Sequence, residues 1–194
     1  MKKILIATRN KDKFRIVSKL LKTNLFPNAN FYNISDINKE IVDEVEVGDI
    51  NNRSRNKATN VFSQLDENIY DFIIGIDDGI KMKGSIVPNV KDYIKDILDD
   101  KYLTNGEIVY IVRSYTFVNK NKKIKTVITE IPFKYSKLDH EYSLEKNTYP
   151  LSHVLTSINS QVPVYKLTND ESNKYYSLYS KDSYKEIEEF FNDN

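Results

Sequence analysis

The chain has 194 residues, enough for one domain with a substantial core. Its 29 basic and 28 acidic side chains leave a net charge of +1, which argues against a nucleic-acid partner held by phosphate neutralisation. Cysteine is absent and there are two histidines, so disulfides, thiolate or multi-histidine metal centres and a Cys nucleophile are excluded.

The opening stretch, Met1-Lys2-Lys3-Ile4-Leu5-Ile6-Ala7-Thr8, has too short an apolar part for a secretion signal. No apolar run approaches the roughly 18 residues that span a bilayer. The expectation is a cytoplasmic globule with no membrane partner. Lys3 to Ala7 predicts a strand buried on both faces. From Lys11 the period changes, with Phe14, Val17, Leu20 and Leu21 at helical spacing. Pro27 and Asn28 end that helix, and Asn30 to Ile37 predicts a second strand. An acidic stretch over residues 39–50 precedes a helix from Asn51 to Leu65, buried through Ala58, Val61, Phe62 and Leu65. Asp71 to Ile76 reads as another buried strand, ending in Asp77-Asp78-Gly79. Pro88 to Leu98 predicts a short helix with Val90, Tyr93, Ile94 and Ile97 on one face. Ile108 to Val118 and Lys123 to Pro132 predict an antiparallel hairpin around Asn119-Lys120-Asn121. Residues 134–165 carry no clear pattern. Ser180 to Phe191 predicts a closing helix with Tyr184, Ile187 and Phe190 or Phe191 buried.

Three places carry chemistry. Thr8-Arg9-Asn10-Lys11-Asp12-Lys13 lies where a strand meets a helix start, a position that suits phosphate. Thr8 and Asn10 offer side-chain donors there, and Lys13 a point charge. Asn10 as a plain helix cap is the alternative. Asp77 and Asp78 stand at a strand's carboxyl end, where α/β folds place ligands, and their oxygens suit Mg²⁺. An ordinary Asp-Gly turn is the alternative there. Glu46-Val47-Gly48 could lend a third carboxylate. His153 beside Ser152 lacks the glycine pattern of a nucleophile elbow.

In order, these pieces resemble the inosine triphosphate pyrophosphatase family, which hydrolyses non-standard purine nucleoside triphosphates to monophosphate and pyrophosphate. Thr8-Arg9-Asn10-Lys11-Asp12-Lys13 is similar to its Thr-x-Asn-x-x-Lys element. Glu46-Val47-Gly48 followed by Lys57-Ala58 is similar to its Glu-x-Gly loop and following helix, one residue shorter. Ile76-Asp77-Asp78-Gly79-Ile80 resembles its Ala-Asp-Asp-Ser-Gly-Leu without the Ser. Thr148-Tyr149-Pro150 stands at its Phe-Gly-aromatic-Asp-Pro position, and Leu167 to Asn173 at its Glu-Lys-Asn element, with Ser172 for the Lys and Lys174 nearby. Its Ser-His-Arg has no counterpart.

The resemblance implies a single α/β domain over residues 1–194: an elongated, twisted, mixed central sheet with flanking helices and two lobes around a nucleotide cleft. It implies Mg²⁺-dependent pyrophosphohydrolysis, with Glu46 and Asp78 on the metal and Asp78 and Asp77 as the catalytic carboxylates. Thr8, Asn10, Lys13, Lys57 and Lys174 would hold the nucleoside triphosphate, with Tyr149 stacked on the base. A homodimer is common in the family. The rival expectation is a nucleotide sensor or partner subunit of the same fold that has lost hydrolysis.

Overall fold

Ile4, Leu5 and Ile6 have no exposed surface, because the strand they form, β1 (Lys3–Ala7), has neighbours on both edges and core on both faces. The computed structural model describes residues 1–42, 47–65, 69–88, 90–137 and 150–192. Helix α1 (Lys11–Asn24) follows, burying Val17, Leu20 and Leu21 as its apolar spacing predicts. Strand β2 (Asn30–Asn33) is shorter than expected. Asn33 accepts the Ser35 N–H at 2.7 Å and Asp36 accepts the Asn33 N–H, which turns Ile34–Asp36 into a 3₁₀ turn.

Helix α2 (Ile50–Gln64) starts at Asp49, whose carboxylate accepts the N–H groups of Asn51 and Asn52. Part of the predicted acidic stretch therefore serves as a helix cap. Strand β3 (Phe72–Met82) is where the structure departs most from the sequence reading. Asp77-Asp78-Gly79 does not end the strand as a turn; the strand runs through it and pairs beyond it with β4 (Ser85–Val87). Helix α3 (Val90–Leu98) buries Val90 and Ile97, while Tyr93 is exposed and meets Tyr102 edge-on instead of joining the buried face. Strands β5 (Ile108–Asn119) and β6 (Ile124–Tyr135) form the expected hairpin, each slightly longer than predicted. In the unpatterned region, Pro150–His153 is a 3₁₀ turn and β7 (Leu155–Thr156) pairs antiparallel with β6. Helices α4 (Asn169–Tyr179) and α5 (Lys181–Asn192) close the chain.

The seven strands make one mixed sheet in the order β2-β1-β3-β5-β6-β7, with β4 paired to β3. β1 is parallel to β2 and to β3. This is the α/β class with helices and a mixed sheet. Two compact units divide the chain: residues 1–78, 113–129 and 181–194, and residues 79–112 and 130–180. In the first, β1 and β3 carry α1 and α5 on one face, through Ile4, Ile6, Phe72, Ile74 and Ile76. Phe72 stacks on Phe191 there at 3.7 Å between ring centroids. The alternate residues Leu5, Ala7 and Ile73 pack with Val61 of α2 on the opposite face. In the second unit, Ile80, Val109, Ile131, Phe133 and Tyr135 form a separate core with Ile97 of α3.

Gly75 sets how closely α2 lies on the sheet. A Cβ there would stand 1.9 Å from the Ser54 carbonyl oxygen and 2.6 Å from the Ala58 nitrogen. Both are helix backbone, which cannot swing away. The Ser54 hydroxyl reaches Ser114 at 2.8 Å and Thr116 at 2.9 Å on β5, so a buried hydroxyl ladder fixes the helix where an apolar side chain would not fit. Gly75→Ala is expected to lower unfolding stability by about 1–3 kcal/mol, the usual range for overpacking. Urea unfolding checks this; an unchanged midpoint would mean the helix can lift off freely.

Candidate functional site

Alternation along β3 decides where the two carboxylates point. Asp77 shares the face of Ile73 and Gly75, toward α2; Asp78 shares the face of Ile74 and Ile76, toward α1. β1 stops opposite Gly75, so both acids lie just beyond the end of β1, beside the turn that leads into α1.

Each face supplies cations. Lys57, half-buried on α2, places Nζ 2.7 Å from Asp77 Oδ1. Asp77 itself is only 6% exposed. On the other face Arg113 of β5 donates Nε to Asp78 Oδ1 at 2.6 Å, with Nη2 3.4 Å from Oδ2. Lys13, in the first turn of α1, brings Nζ to 3.1 Å from Asp78 Oδ2. Burial pushes the Asp78 carboxyl up, but the charges of Arg113 and Lys13 outweigh it and hold the group well below the usual carboxylate range. The two cations therefore favour the ionised form of Asp78.

The turn before α1 is built from its own side chains. Asn10 Oδ1 accepts the Lys13 N–H at 2.9 Å, and Thr8 Oγ1 accepts the Asn10 N–H at 3.2 Å. Asn10 is thus the helix cap that the sequence allowed as the plain alternative. Asn10 itself is exposed, and a helix N-terminus carries backbone N–H donors. The backbone of Arg9 is on that exposed turn, while its guanidinium reaches back to the Ile41 carbonyl at 2.6 Å.

Of the residues named from sequence, the structure brings Lys13 to Asp78 and Lys57 to Asp77, with Thr8 and Asn10 in the turn preceding Lys13. Lys174 is exposed on α4 in the second unit, one turn after Glu171. Glu46 and Tyr149 lie outside the described residues. His153 stacks on Tyr165 at 4.1 Å, a packing contact. Arg113 is the member of this charge cluster that the sequence pattern does not single out. A signal existed: it is the one charged residue in Ile-Val-Tyr-Ile-Val-Arg-Ser-Tyr-Thr-Phe-Val-Asn, and a buried arginine requires an acid within reach.

Among the described residues no three acids or histidines converge as a cage for a metal ion. What is present is the adjacent pair Asp77 and Asp78, both ion-paired, with Asp78 Oδ2 held by a lysine at the edge of the site. Such a donor suits Mg²⁺ bound chiefly by water and phosphate oxygens, with one or two carboxylates, and does not suit the bare ion.

Removing Arg113 would leave Asp78 with Lys13 alone. Arg113→Met is expected to cost about 3 kcal/mol of stability, the low end for breaking a buried pair. Arg113→Lys should recover little of it, since a point charge cannot match the guanidinium fork. Thermal and urea unfolding of the two variants check this. Full recovery in Arg113→Lys would show that charge alone, without the fork, holds Asp78.

No protein-family model matches the sequence, and no curated protein does either. The structure does superpose on solved ones. A HAM1 protein from Coxiella burnetii matches with TM-score 0.66 at 13% identity, covering 100% of both chains. The Staphylococcus aureus Ham1 protein matches with TM-score 0.61 at 13% identity, covering 98% of both. A nucleoside-triphosphatase, dITP/XTP pyrophosphatase, from Mycobacterium abscessus matches with TM-score 0.60 at 12% identity, covering 92% of this chain and 95% of that one. At such identities the likeness is one of fold, and over nearly its whole length this chain has the Ham1/inosine triphosphate pyrophosphatase fold.

Proposed function

We propose that residues 1–194 form one nucleoside triphosphate pyrophosphohydrolase domain, acting on non-standard purine nucleotides with Mg²⁺. The observation that carries this reading is the pairing of Asp77 and Asp78 with Lys57, Lys13 and Arg113 beside the N-terminus of α1. In these described pairs three cations face two carboxylates, an excess that favours a polyanion. The fold shared with a dITP/XTP pyrophosphatase supports the choice of triphosphate.

The roles follow from the chemistry of the groups. The N–H groups opening α1, the Asn10 amide, Thr8, Lys13 and Lys57 bind and orient the phosphates, so that attack is in line and charge building on phosphate oxygens meets fixed donors. Asp78, held ionised by Arg113, is the carboxylate that orients the attacking water and that, with Glu46, would hold the metal. When bound, Mg²⁺ supplies charge neutralisation on the phosphates. Asp77 stands in support, keeping Lys57 directed at the site. Tyr149 stacks on the base, and Lys174 is a further substrate contact; both roles, and that of Glu46, come from the resemblance.

The test is release of pyrophosphate from a panel of purine nucleoside triphosphates, with and without Mg²⁺. Turnover is expected only with the metal, with pyrophosphate as product and orthophosphate absent. Asp78→Asn should lower turnover by at least about 100-fold, because the amide carries no charge with which to orient water or hold Mg²⁺, while nucleotide binding persists. Asp77→Asn should be milder. Nucleotide binding with no turnover on any substrate would instead leave a sensor of this fold. Wild-type rates in Asp78→Asn would remove the carboxylate from the reaction.

A further inference from the structure

The two cations on Asp78 are not equivalent. Arg113 is 9% exposed, projects from β5, which neighbours β3 in the sheet, and closes on the carboxylate with two nitrogens. Its shorter contact is to Oδ1 at 2.6 Å, and its contact to Oδ2, at 3.4 Å, is weak. Oδ2 is held mainly by Lys13, through a single contact at 3.1 Å from a side chain that is 20% exposed. The Lys13 backbone is fixed at the mouth of α1 by the Asn10 cap, and its ammonium reaches Asp78 on a four-carbon stem with several rotatable bonds. Arg113 thus holds the carboxylate by two contacts from a buried position, and Lys13 by one contact from a more exposed one.

We propose that Lys13 is a removable cover on Asp78 Oδ2, exchanging the carboxylate for phosphate when a polyphosphate reaches the N-terminus of α1. A divalent cation approaching alone must displace Lys13 and leave that ammonium without an anion, so the bare ion is refused. A polyphosphate gives Lys13 another anion and opens Oδ2 at the same moment. Metal and triphosphate are therefore linked: each raises the affinity for the other. Because the nucleotide reading supplies the anion, the inference rests on it in part; the blocking of Oδ2 by Lys13 does not.

The blocking half is tested without nucleotide, by titrating the full chain with Mn²⁺ and following the free ion by electron paramagnetic resonance. Wild-type protein is expected to leave millimolar Mn²⁺ free. Lys13→Met should bind one Mn²⁺ at least about tenfold more tightly, the low end for removing a competing charge-assisted hydrogen bond. Lys13→Met combined with Asp78→Asn should lose that gain. Lys13→Gln, with circular dichroism to check folding, repeats the measurement with a polar side chain. Wild type binding Mn²⁺ as tightly as Lys13→Met, no gain in either Lys13 variant, or a gain that survives Asp78→Asn would each overturn the proposal. Gain of Mn²⁺ binding in a protein that hydrolyses no nucleotide would keep the cover and discard the substrate. Hydrolysis by wild type with no gain in the variants would discard the cover alone.

Discussion

Two adjacent carboxylates inside a β-strand are the constraint on which this structure turns. An isolated charge in such a place costs several kcal/mol or more, and the pleat prevents one cation from serving both acids. The fold meets this with separate suppliers on the two faces: Lys57 from α2 for Asp77, and Arg113 with Lys13 for Asp78. Once neutralised, the acids let β3 continue past them to Met82 and pair with β4. A turn would have served an unpaired Asp-Asp-Gly; paired, it is strand.

The supporting architecture is fitted to that need. Lys57 meets Asp77 because α2 packs directly on Gly75 and is tied to β5 by the hydroxyls of Ser54, Ser114 and Thr116. Lys13 meets Asp78 because Asn10 caps α1 right after the turn from β1. The same cap sets the first turn of α1, and with it Lys13, beside Asp78. Arg113 therefore grips Asp78 with two guanidinium nitrogens, whereas Lys57 and Lys13 each reach their carboxylate through a single ammonium contact.

Much of this was legible in the sequence where a local rule governed. Apolar runs and helical spacing gave β1, α1, α2 and α5 to within a residue or two, because burial and periodicity are local properties. The pairing of Lys13 with Asp78 was legible only as membership in one set of phosphate and metal residues. Whether acids and lysines would neutralise one another depends on strand order, which no spacing in the chain encodes. Arg113 shows the same limit: its isolation within an apolar strand was visible, but its partner is 35 residues away. Strand β3 was cut short because an Asp-Asp-Gly turn is the better local reading, and tertiary ion pairs overrode it. Helix α4 was missed although Thr168 and Glu171 form a capping box, Thr168 accepting the Glu171 N–H at 3.3 Å and Glu171 the Thr168 N–H at 2.8 Å. Two of its three tyrosines, Tyr175 and Tyr176, pack against Phe133 of β6, a contact that sequence periodicity does not reveal.

The central claim is that neutralised carboxylates and a helix N-terminus make an anion site read by charge. Calorimetric titration of the metal-free protein with inorganic tripolyphosphate tests it most directly. The account predicts saturable binding that weakens as salt is raised and is competitive with a purine nucleoside triphosphate. A protein that binds the nucleotide but neither binds tripolyphosphate nor yields to it as a competitor would contradict the account, since recognition would then reside in the base.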